Sequence, residues 1–172
     1  MNRQSIGTFV LRVSLGLGLA FAGFHKFLPN LLDPAHNKAF TSAGFLKNAT
    51  GGQWLDSKGV VNPTHDLWVS IAGNASLMSI IDTLVVLGEI ACGVALILGL
   101  ATRFSAIMGA LLIGLIWVAG WSFANGPFNE AFYYVVIGGV IAYVGAGAYA
   151  LDTAVAKLPI IQRIPVVKYA LG

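Results

Sequence analysis

Four long apolar runs dictate what this chain can become: Ser5–Phe24, Leu77–Leu100, Phe104–Phe123 and Ala131–Ala150. Each holds about 20 residues, the length a helix needs to cross a hydrocarbon core roughly 30 Å thick. In lipid every backbone N–H and C=O must be satisfied by the chain itself, so only helices or closed barrels cross. None of the runs alternates with a period of two, which excludes barrel strands. Composition agrees, with 57% hydrophobic and 10% charged residues and a mean hydropathy of +0.80. A soluble domain carries about 25% charged residues. The expected fold is all-α: an integral membrane four-helix bundle forming one domain over residues 1–172. Its helices occupy the four runs, with an extracytoplasmic, partly helical loop over 25–76 and a cytoplasmic tail over 151–172. The first run has leader-like features, Arg3 ahead of it and Ala20-Phe21-Ala22 as a cleavage-like site, but is read as a span.

Four spans put both termini on one side of the membrane. Arg3, Arg103, Lys157, Arg163 and Lys168 fall on that side in short segments, whereas Lys26, Lys38, Lys47 and Lys58 spread along the opposite loop. The positive-inside rule then makes both termini cytoplasmic in a plasma-membrane protein. The net charge of +3 comes from scattered residues. No basic cluster suits nucleic acid, so the expected partners are the lipid bilayer and other membrane or extracytoplasmic subunits.

The expected helices carry packing signals. Gly16, Ala20 and Gly23 in the first, and Gly138, Ala142, Ala146 and Ala150 in the fourth, form small-residue stripes. Such stripes let helix backbones approach closely in lipid. Trp117, Trp121, Phe123, Phe128, Phe132, Tyr133 and Tyr134 crowd the expected outer end. They fit an interfacial belt, or a stacking pocket for a flat aromatic ligand such as a quinone head, with Trp117 and Trp121 as the ligand-contacting pair.

Ionisable residues inside the runs need an account, because a lone charge at the bilayer centre costs at least about 2.5–3.5 kcal/mol. Asp82 and Glu89 stand seven residues apart, about 20° around one helix. Arg12 and Lys26 stand fourteen apart, about 40° around another. An acidic face then meets a basic face across antiparallel helices. Two layers are expected, Arg12 with Glu89 and Lys26 with Asp82. A third pair, Arg103 with Asp152, is expected at the cytoplasmic end. Such pairs either fix which helix packs on which or mark a headgroup site or proton path.

Several chemistries lack their residues. Cys92 is the single cysteine, so no dithiol exchange occurs within the chain. His25, His36 and His65 sit at a helix end or in the loop, which leaves no pair of helix histidines for haem. Metal-ligand spacing and a glycine-rich phosphate loop are absent. Haem, metal and nucleotide are therefore not expected. In the loop, Asn62-Pro63 reads as a helix start, and Asn48-Ala49-Thr50 and Asn74-Ala75-Ser76 are glycosylation sequons. Pro159 and Pro165 divide the tail, which is expected to lie on the anionic membrane face or on a partner.

The segments "LRVSLGLGLAFAGFHKF" and "GEIACGVALILGLATR" resemble the DoxX/DoxD family of small four-helix membrane proteins. The matching residues are Arg12, Gly16, Gly23 and Lys26, then Gly88, Glu89, Gly93, Gly99 and Arg103, and finally Asp152. The loop, including "AGFLKNATGG", resembles the DoxD-like branch. The resemblance implies the membrane subunit of a thiosulfate:quinone oxidoreductase, which reduces a membrane quinone with electrons from thiosulfate and works with a second subunit. Other members of the family are accessory subunits of redox complexes. Two functions are expected in turn. One is a respiratory oxidoreductase subunit passing electrons and protons to a quinone, with Glu89, Arg12 and Asp82 catalytic and Arg12, Lys26, Glu89, Trp117 and Trp121 holding the quinone. The other is a non-catalytic anchor of a larger membrane complex.

Overall fold

The computed structural model describes residues 3–28, 40–49, 62–121, 128–162 and 165–172, all helical or irregular, with no strand among them. Three helices are long and apolar enough to cross a membrane: α1 (Arg3–Phe27), α4 (Ala75–Leu98) and α5 (Thr102–Gly120). Two shorter helices, α2 (Ala43–Ala49) and α3 (His65–Gly73), lie between α1 and α4. A fourth apolar helix, α6 (Glu130–Val144), has 15 residues. Short helices α7 (Asp152–Val155), α8 (Pro159–Gln162) and α9 (Pro165–Ala170) complete the described chain.

The long helices start and stop for local reasons. Asn74 opens α4 by accepting a hydrogen bond from Leu77 N at 3.1 Å, which satisfies one of the free amides of a first turn. The second sequon asparagine thus serves as a helix cap. The Asn48 sequon lies outside the described residues at its asparagine side chain and Thr50. At the other end Gly99 takes φ 68°, and Leu100 N bonds back to Ala95 O at 2.8 Å. This left-handed stop suits glycine, which has no Cβ to clash. Asn129 caps α6 in the same way as Asn74, accepting from Phe132 N.

α6 ends earlier than its apolar run. The run Ala131–Ala150 was expected to be helical throughout, but the chain leaves the helix at Gly145 (φ 96°) and stays irregular to Ala150. At about 22 Å, α6 alone is shorter than a hydrocarbon core. Ala146, Ala148 and Ala150 are nevertheless buried. Unwound backbone at such depth requires partners, and it has them. Ala148 N donates to Ser5 O, Leu151 N to Leu98 O and Asp152 N to Gly99 O. Gly147 (φ 70°) runs so close to α1 that a Cβ there would lie 2.8 Å from Ser5 O.

α1 packs chiefly on α4, α4 also on α5, α5 on α6, and α6 back on α1. The α1–α4 seam is the closest, and glycines set it. A Cβ on Gly93 would fall 2.4 Å from Ala20 N, and one on Gly16 or Gly23 would meet α4 backbone at 2.9 Å. The expected stripe on α1 is therefore the contact itself. It also fixes the register: Gly16 lies against Ile97, Ala20 against Gly93 and Gly23 against Ile90. The core beside this seam contains Leu15, Leu19, Cys92, Leu96, Ala106 and Ile141. A second cluster, with Leu46, Ala72, Met78 and Ala119 buried, packs α2 and α3 over the end of the bundle formed by the start of α4 and the end of α5. Asn62 ties this cap down. Its side-chain nitrogen donates to Val118 O and Ala119 O, while its oxygen accepts from Thr64 N and Oγ1. The expected helix start at Asn62-Pro63 is a turn, and α3 proper begins at His65.

Candidate functional site

The register of the α1–α4 seam decides which charges meet. Continuing it one turn beyond Gly16 brings Arg12 to the end of α4, about 10 Å below Glu89. Continuing it beyond Gly23 brings Lys26 beside Glu89. The expected pairing is thereby exchanged. Lys26 Nζ and Glu89 Oε1 form a direct ion pair, the only one among the described residues, with Glu89 side-chain exposure of 4%. Arg12 is not Glu89's partner, and Lys26 is not Asp82's.

Arg12 is fully buried and spends its guanidinium on backbone. Its two terminal nitrogens donate to Leu96 O (2.6 Å), Ile97 O (3.1 Å), Ala148 O (3.1 Å) and Tyr149 O (3.3 Å). The first two are carbonyls of the last turn of α4, which carries partial negative charge; Leu96 O also accepts from Gly99 N at 3.2 Å. The other two belong to the unwound segment after α6. The planar fork of arginine suits this double grip, as a lysine ammonium would not. Phe9 lies under the guanidinium, with its ring centroid 5.5 Å away.

Asp152 plays the reciprocal part at the same end. Its carboxylate accepts from Ala101 N (2.7 Å), Thr102 N (2.9 Å) and Gly172 N (2.8 Å). The first two are amides of the α5 N-terminus, where negative charge is favourable. The expected Arg103–Asp152 ion pair is absent among the described residues. Arg103 lies beside Gly145 instead, with its Nε buried and unpartnered there. The tail was expected on the membrane face or a partner, yet α9 packs on α5 and Leu171 is buried.

Asp82 lies outside the charge layers. Its Oδ1 accepts from Ser42 N at 2.8 Å and Ser42 Oγ at 2.5 Å, so it latches the start of α2 onto α4. Trp117 and Trp121 also stand apart from the ion pair. Their rings lie 6.4 Å apart, and Trp117 stacks at 5.7 Å on Phe132 of α6. Neither lines the cavities described below, and the aromatic cluster joins α5 to α6 at the outer end.

What remains near Lys26 and Glu89 is space. A cavity of about 370 Å³ runs between α1, α5 and α6, with Lys26, Glu89 and Glu130 as its charged lining. Glu89 Oε2 is buried and has no partner among the described residues. Gly18 and Ala22 of α1 and Ala131 and Tyr134 of α6 complete its lining, and Tyr134 is itself exposed. Its size falls within the range of small-molecule sites, about 300–1,000 Å³. Sequence reasoning missed Glu130, which comes from a helix placed beside α1 by tertiary packing, whereas Tyr134 belongs to the aromatic group it named. No group of three metal-ligating side chains forms among the described residues. Comparison with known proteins gave no match to any family model, curated protein or solved structure.

Proposed function

We propose that this protein is a membrane subunit of a quinone-linked oxidoreductase, binding the quinone head at the Lys26–Glu89 pair. One observation carries the reading: an ion pair between a buried glutamate in the middle of α4 and a part-buried lysine at the end of α1 borders a ligand-sized cavity and leaves one carboxylate oxygen unspent. A buried pair serving only to join helices has no need of the cavity. Lys26 is suited to donate to a quinone carbonyl. Two-electron reduction consumes two protons, and the Glu89 carboxylate is suited to relay them from water, taking each up before passing it to a ring oxygen. The electrons come from a donor on another subunit, and the resemblance to the DoxX/DoxD family suggests thiosulfate as their source. In this reading α6 and the segment 145–150 together make the fourth crossing of a four-helix bundle in the plasma membrane. Both termini are cytoplasmic, which the distribution of Lys and Arg supports.

The test is equilibrium binding of duroquinone, which has no hydrocarbon tail, to the purified protein in detergent. The double variant Lys26→Met with Glu89→Gln removes both charges at once, so no orphaned charge is left buried. The expected result is a folded protein whose affinity for duroquinone falls at least about tenfold, a loss of about 1.4 kcal/mol. Unchanged affinity in the folded double variant would overturn the reading and leave the non-catalytic anchor.

A further inference from the structure

A second cavity, of about 360 Å³, lies on the other side of Lys26, under α2 and α3 and above α4 and α5. It shares Lys26 and Ile116 with the first cavity, but its chemistry differs. The rings of Phe40, Phe45 and Trp68 roof it, and Ile81, Val85 and Leu112 lie beneath. Its few polar groups are already engaged. The Ser42 hydroxyl donates to Asp82, and Thr41 Oγ1 accepts from Ala43 N. Trp68 Nε1 donates to Thr64 Oγ1. The Lys26 ammonium pairs with Glu89 and lies 5.2 Å from the Phe40 ring centroid. Beyond the Lys26 ammonium at one end and the Thr41 hydroxyl, the side chains lining the cavity offer no free charge or hydrogen-bonding group to a polar or ionic ligand.

Protein interiors pack to crystal-like density, with few voids larger than a water molecule. An apolar space of this size forfeits dispersion contacts along its whole lining unless something apolar fills it. Two of the lining side chains, Phe45 and Leu115, are 39% and 56% exposed, so the cavity lining reaches the protein surface there. We infer that this cavity binds the hydrocarbon chain of a membrane amphiphile, entering from the bilayer between Phe45 and Leu115. The chain is acyl or isoprenoid; both offer the same flexible apolar surface. The site is independent of the quinone reading, because it needs neither Glu89 nor a redox step.

The probe is a long-chain alcohol carrying a diazirine near its methyl end, photolysed with the full-length protein in lipid nanodiscs. Adducts are mapped by mass spectrometry. Phe45, Trp68 and Leu112 are expected to be labelled above the lipid-facing references Phe21 and Tyr143, which are 73% and 87% exposed. Excess unlabelled chain is expected to displace the cavity adducts only. Saturated and polyisoprenoid alcohols serve as separate competitors, and the stronger one names the source of the chain. Val85→Phe, which fills the cavity, and Leu115→Trp, which blocks its exposed edge, should each abolish cavity labelling and spare the references. Leu115 is exposed enough that its variant keeps the test alive if Val85→Phe does not fold. Equal labelling of cavity and reference positions, or cavity adducts that persist in a folded blocked variant, would overturn the inference.

Discussion

Two basic residues of α1, one buried and one part-buried, make opposite use of their charge. Arg12, in the N-terminal half of the helix, gives its hydrogen bonds to four carbonyl oxygens on two chain segments. Lys26, at the C-terminal end, pairs with a single carboxylate and borders two cavities. A cation bonded to backbone holds architecture in place, since moving it would strand several acceptors. A cation paired with an acid beside open space can exchange that partner for a ligand. An intramembrane charge is therefore informative about chemistry only once its partners are known.

The largest expected effect tests the architectural half of this contrast. Arg12→Leu removes the donors to four carbonyls, two of the bonds buried and two part-buried, and a buried acceptor left unsatisfied costs about 1–3 kcal/mol. The protein is expected to be recovered misfolded or not at all, while Arg12→Lys, lacking the planar fork, gives a folded protein of much lower thermal stability. Melting temperature in detergent is the measurement. A stable Arg12→Leu variant would break the comparison.

The next effect concerns the outer pair. Glu89→Gln leaves the part-buried Lys26 ammonium without its counter-charge, a loss of at most about 3–5 kcal/mol, the figure for a fully buried pair. The double variant with Lys26→Met is expected to regain most of that stability, because replacing a whole buried pair is often nearly neutral. Chemical denaturation of the wild type, the single and the double variant measures the recovery. A double variant as unstable as the single would mean that the pair belongs with Arg12 as architecture.

Asp82→Asn gives the smallest effect. Asparagine keeps an oxygen for Ser42, so the loss is one charge-assisted increment of about 1 kcal/mol. Faster amide hydrogen exchange is expected in α2, with α4 unchanged. Equal acceleration in both helices would show that Asp82 supports the core rather than latching the cap.

The legible parts of this fold were those encoded within one helix. The lengths of α1, α4 and α5 followed from runs of apolar residues, and the stripe Gly16, Ala20 and Gly23 correctly marked the seam. The pairing of charges was misjudged because depth was assigned from position within each run. The glycines carried a better ruler. The face that presents Gly16 to Ile97 must carry Arg12 past the end of α4, so the exchange of partners was implicit in the seam. The end of α6 was not legible. Gly145 and Gly147 are local stop signals, but the apolar run continues through them to Ala150, and nothing local signals that Arg12 donates to Ala148 O and Tyr149 O. Asp82 was opaque for a similar reason, since its partner Ser42 lies 40 residues away on a helix placed by tertiary packing. Of the candidate site, Lys26 and Glu89 were legible as ionisable residues inside or beside apolar runs, whereas the cavity that gives them meaning was not.

The grip of Arg12 also sets an order of events during synthesis. Its acceptors on Leu96 and Ile97 exist once the second long helix is made, but Ala148 O is 136 residues downstream of it. Until then α1 must enter the membrane with a guanidinium that is only half satisfied, against an insertion cost of about 2.5–3.5 kcal/mol for an unpartnered charge. The first helix to leave the ribosome is thus the last to be finished, and a nascent chain stalled before Ala148 would present an incompletely anchored α1 to membrane quality control.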